Sequence, residues 1–109
     1  MRLLVDKGAD KDKADNDGAT PLCIASYKGH LEVVRLLVDK GADKDKARNI
    51  DGATPLCIAS EKGHVEIVQV LIDAGADKDK ANDAGLTPLD IARFMGHLEI
   101  VRLLVEAGA

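Results

Sequence analysis

A chain of 109 residues with 15 basic and 19 acidic side chains, finely interleaved to a net charge of −4, is the size of one domain. No basic stripe tracks a phosphate backbone, so a nucleic-acid partner is excluded as an expectation. The hydrophobic fraction of 46% is almost entirely Leu, Val, Ile and Ala, with Tyr27 and Phe94 the only aromatics, which favours thin, closely packed layers over one thick core.

In chain order, the N-terminal residues Met1 to Asp6 lack the apolar length of a secretory signal, and no later apolar run spans a membrane. Two cysteines without such a signal point to free thiols in a reducing compartment, and the expected location is cytoplasmic. The segment Arg2 to Ala14 recurs unchanged at Arg35 to Ala47, and Asp17 to Ser26 recurs at Asp51 to Ser60. Thr-Pro-Leu begins at Thr20, Thr54 and Thr87, so the period is 34 and then 33 residues. The expected division is a truncated repeat end over 1–14, repeats over 15–47 and 48–81, and a terminal repeat over 82–109.

Each unit parses from local physics. Thr20 caps a helix with its hydroxyl, and Pro21 suits the first helical position, where no amide hydrogen is needed. Leu22, Ile24 and Ala25 form its apolar side, and Gly29 ends it. A second helix is expected from about His30 to Lys40, with Leu31, Val34, Leu37 and Val38 as its buried stripe, widened by Val33 and Leu36. Gly41 closes it. The stretch from Ala42 to Ala53 has no apolar alternation and reads as an extended loop with turns. One such unit cannot bury both its faces, so stacking on the next unit makes it fold.

The run from Asp17 through Thr20-Pro21-Leu22, Gly29-His30 and Gly41-Ala42-Asp43 resembles the ankyrin repeat along its whole length. The resemblance implies an all-α repeat solenoid of stacked helix-turn-helix units. Its loops are implied to be β-hairpin-like, standing perpendicular to the helices, and its concave face is one that generally binds other proteins. The sequence departs from the family pattern where the His after Thr-Pro-Leu becomes Cys23, Cys57 and Asp90, which weakens an expected tie between repeats. Lys-Asp replaces the usual Val-Asn at Lys11-Asp12, Lys44-Asp45 and Lys78-Asp79, making the loops more charged. One extra residue sits in Arg48-Asn49-Ile50-Asp51 against Asp15-Asn16-Asp17.

Catalytic and metal chemistry find no support. Cys23 opens a first helix and His30 an antiparallel second one, which places them at opposite ends of the pair, out of hydrogen-bond reach. His30, His64 and His97 stack in a column about 8–10 Å apart, too far to share a zinc ion with ligands about 2 Å from the metal. Each His is expected to end its inter-helix turn and bond locally. The Lys-Asp-Lys runs are expected to be solvated edges. No cofactor is expected, and an enzyme is the least favoured class.

Function is therefore read from exposed positions that differ between copies. The last turns of the first helices carry Tyr27-Lys28, Glu61-Lys62 and Phe94-Met95. The loop tips carry Asn16 and Asp17, then Ile50 and Asp51, then Asp83 and Leu86. Aromatic, Met and Leu side chains ringed by charge suit an interface, so these twelve residues are the expected protein-binding set. Two other readings compete: Phe94 and Met95 fold back as a cap on the last repeat, or the array is a ligand-free scaffold. Leu3, Leu4 and Val5 match buried positions of the complete repeats, so the N-terminal edge is an expected homodimer contact.

Overall fold

The computed structural model describes residues 13–15 and 18–109, which form six helices in three antiparallel pairs. They are α1 (Pro21–Lys28), α2 (Leu31–Asp39), α3 (Pro55–Lys62), α4 (Val65–Asp73), α5 (Pro88–Met95) and α6 (Leu98–Glu106). The N-terminal association edge and the tip residues Asn16 and Asp17 lie outside the described residues.

Each inner helix (α1, α3, α5) begins as its sequence dictates. The hydroxyls of Thr20 and Thr54 accept from the amides of Cys23 and Cys57 at 3.2 Å, with proline next in line. Each ends on a left-handed glycine, with φ of 77° at Gly29, 79° at Gly63 and 74° at Gly96. The outer helices (α2, α4, α6) start at His30, His64 and His97, whose rings make no cap bond to their own helix and are therefore free to reach elsewhere.

Inner helices pack against one another more extensively than outer ones do. Ala25, Ala59 and Ala92 make this close approach possible, each fully buried where the helices meet. The main core runs unbroken between the helix layers through Leu22, Leu37, Leu56, Ile67, Leu71, Ile100 and Leu104. A second, smaller cluster lies beneath the loops and contains Ala19, Cys23, Ala53, Cys57, Ile58 and Ile91. The result is elongated, 38 × 24 × 20 Å, as a one-dimensional stack should be.

The loops depart from expectation: among the described residues no β-strand forms. The loops before α3 and α5 are each instead a pair of turns. The tip of the third loop closes with Asn82 N–H donating to the Leu86 carbonyl and Gly85 N–H to the Asn82 carbonyl, both at 2.9 Å. Lys-Asp-Lys segments have no apolar face to bury, so nothing drives a ladder. The charged runs are not merely solvated edges either. Asp45 accepts from the Asp77 amide of the next loop at 2.8 Å, and Lys80 Nζ returns to the Asp45 carbonyl at 2.9 Å.

Candidate protein-interaction surface

The contact between one repeat and the next is built from a glycine on one side and a polar side chain on the other. The His64 ring lies against Gly29, 2.8 Å from where a Cβ would stand, and its Nε2–H donates to the Tyr27 carbonyl at 3.2 Å. His97 repeats this against Gly63, donating to the Glu61 carbonyl at 2.9 Å. These histidines therefore tie neighbouring repeats rather than bonding locally as expected. Their carbonyl acceptors are left over at the C-terminal end of each inner helix, where no intrahelical partner remains. The loop tips interlock in the same way, with Asn49 over Gly18 and Asp83 over Gly52.

The cysteines, by contrast, each bond to the loop of their own repeat. Cys23 Sγ donates to the Lys46 carbonyl at 3.5 Å and Cys57 Sγ to the Lys80 carbonyl at 3.6 Å. Both thiols are free and buried, and burial pushes the Cys57 thiol above its ordinary pKa, which disfavours a reactive thiolate there. Among the described residues no group of His, Cys, Asp and Glu is placed to hold a metal ion.

The predicted column of variable residues is exposed, and its members divide. Tyr27 is half-exposed and its ring carries the Lys62 ammonium 4.6 Å from its centroid, a cation–π contact that joins the first two repeats. Lys28 and Glu61 are exposed beside them. Phe94 is 86% exposed, so it does not fold over its own repeat as a cap, and Met95 next to it is 45% exposed.

At the second tip the extra residue changes the turn. Gly52 N–H reaches four residues back to Arg48, whereas Gly18 and Gly85 reach three back, to Asp15 and Asn82. Asp15 and Asn82 each accept an amide with their own side chain, Ala19 and Leu86 respectively. Arginine cannot accept, and Asp51 takes over by receiving the Ala53 amide at 3.0 Å. Arg48 then clamps Asp51 with two bonds of 2.9 Å, which holds the Asp51 carboxyl below its usual pKa. Ile50, at the apex, is 62% exposed.

A half-open groove runs between the second and third repeats. Its walls include five of the predicted residues, Asp51, Glu61, Leu86, Phe94 and Met95, and its floor is Cys57 and Ile91. Tyr27, Lys28, Ile50, Lys62 and Asp83 lie outside it. Sequence reasoning missed Arg48, which orders the tip; its signal was a base standing where the other copies have Asp15 and Asn82. It also missed Leu98 and Val105, exposed on the last outer helix at positions that earlier copies half-bury.

A family model described as ankyrin repeats, in three copies, matches residues 1–48 and 43–109. The chain belongs to the ankyrin-repeat family. Comparison with curated proteins found no match. Ankyrin repeats are generally protein-interaction modules and typically non-catalytic. No helix among the described residues of this ankyrin array is long and apolar enough to cross a membrane.

Proposed function

We propose that this ankyrin array binds a protein partner through the face formed by its loop tips and the last turns of its inner helices. Leu86, Phe94 and Met95 form the apolar centre, with Asp51, Glu61 and Asp83 at the rim. Tyr27, Lys28, Ile50, Lys62 and the sequence positions Asn16 and Asp17 extend the surface toward the first repeat. Phe94 carries this reading. A phenylalanine left 86% in water at the mouth of a groove costs solubility and contributes nothing to the fold. Aromatic and Met side chains beside a pocket are the usual energetic centres of an interface.

This reading assigns no catalytic step and no cofactor, and the free thiols fit a reducing, cytoplasmic setting. The test is cross-linking capture with the wild-type chain and a Tyr27→Ala, Phe94→Ala, Met95→Ala variant, with circular dichroism to show that the fold is kept. Partner recovery should fall at least tenfold in the variant. Equal recovery, or no partner for either chain, would return the array to the scaffold reading.

A further inference from the structure

The two junctions between repeats share one plan but differ at their surface. By sequence position, Tyr27, Arg48 and Lys62 at the first junction correspond to Glu61, Asn82 and Met95 at the second. At the first, the chain supplies its own cations. The Lys62 ammonium lies 4.6 Å from the centroid of the Tyr27 ring, and Arg48 is drawn in against the tip, its side chain only 15% exposed. At the second, uncharged residues replace both cations, a carboxylate stands in place of the ring, and a half-open groove remains.

The residues lining this groove include two carboxylates, Asp51 and Glu61, and no base. Asp51 is already held by Arg48. Glu61 enters none of the ion pairs among the described residues. The Arg48 pKa is raised chiefly by its bond to Asp51, with Glu61 the weakest contributor, so the clamp leaves Glu61 without a close counter-ion. On the α5 wall stand Phe94 and Met95, beside the Cys57–Ile91 floor. Tyr27 and Glu61, at the position of Phe94, stay exposed with a further repeat stacked on them, so exposure of this wall belongs to the position itself. The cavity of about 190 Å³ is smaller than the ~300–1,000 Å³ pockets that enclose drug-sized molecules, so it admits a long side chain and not a helix.

We propose, building on the protein-interaction reading, that this groove takes an arginine from an extended segment of the partner, with an apolar side chain beside it covering Leu86. The guanidinium meets the two oxygens of Glu61 with parallel hydrogen bonds, and its flat face lies on Phe94 much as Lys62 lies over Tyr27. Its methylene stem packs along Met95 and Ile91. The uncompensated carboxylate selects for a basic segment and against an acidic one. Met95 keeps the site open to a partner. A lysine at that position, as in the preceding repeat, gives Glu61 a cation from the chain itself.

The test is retention of four synthetic pools of ten-residue peptides on the immobilised 109-residue chain. Their central residue is arginine, glutamine, glutamate or leucine, and their flanks are drawn from alanine, serine, valine and leucine. Circular dichroism confirms the fold of each variant. The arginine pool should be retained at least tenfold more than any other, and it should move the amide NMR signals of Glu61, Ile91 and Met95 rather than those around Tyr27. Glu61→Gln should remove the preference, and so should Met95→Lys. Equal retention of the pools, or preference for another pool, overturns the assignment. So does an arginine preference that survives Glu61→Gln or maps to Tyr27, and so does retention of no pool at all. The wider interaction surface is judged separately by cross-linking capture. Capture that depends on Phe94 and Met95, beside peptides bound without regard to charge, would strike out the arginine and leave that surface standing.

Discussion

Ser26 and Ser60 are buried on the inner helices, and neither hydroxyl finds a hydrogen-bond partner. An unpaired buried hydroxyl costs its desolvation without return. Ser60→Ala should therefore raise stability by about 1 kcal/mol, read as a higher urea midpoint at unchanged slope. A lower midpoint would mean that the hydroxyl has a partner, such as water, in solution. The Arg48–Asp51 clamp works in the other direction. Its carboxyl titrates below the ordinary value near 3.9, so its stabilisation is complete above that pH and is lost as pH falls through the lowered pKa. Because Asp51 is 44% exposed, Arg48→Ala should cost only on the order of 0.5 kcal/mol after solvent screening. That cost should vanish in strong acid; a cost that persists there would assign it to packing of the arginine stem.

The inner helices were legible in the sequence almost to the residue, because threonine, proline and glycine act through local geometry, the threonine only nine residues before the glycine. The outer helices were legible from their apolar spacing. The links between loops were not: they join residues 32 to 35 apart, Asp77 to Asp45 and Lys80 to Asp45, and no local rule pairs them. Nor could sequence alone send the histidine rings across to the preceding repeat. At the start of α5 the sequence departs from its own pattern with a local purpose. Asp90 replaces the cysteine of the earlier copies and accepts the Thr87 amide at 3.1 Å, while the Thr87 hydroxyl accepts the Asp90 amide. This reciprocal cap satisfies the helix start from within the repeat. Thr87→Ala should cost about 1 kcal/mol, and Asp90→Cys should also destabilise the chain, since it gives up one of the two cap bonds. A thermal melt of each variant checks both, and an unchanged midpoint for Asp90→Cys would mean the second bond is worth nothing.

At the scale of the whole molecule, stability should be graded along the stack. In α3 the run from Pro55 to Ser60 is buried throughout, because a repeat lies on either side of it. In α6, Arg102 pairs with both Glu99 and Glu106 on the outer surface. Amide hydrogen exchange should therefore be slowest in α3 and α4 and faster in the helix pairs on either side. Equal rates in all six helices would show that the three repeats open only together.

The extra residue at the second tip has a bearing on alignment. Two of the three tips close over a three-residue step and the middle one over four, so the array resembles a ruler with one displaced mark. An extended ligand laid along perfectly uniform tips could slip by one repeat and find equivalent contacts. Here a slipped ligand meets the wider Arg48–Gly52 turn where it expects a narrow one. Near-identical repeats thus carry a mark of position, and a partner of the kind proposed, lying along the tips, should hold one register rather than several.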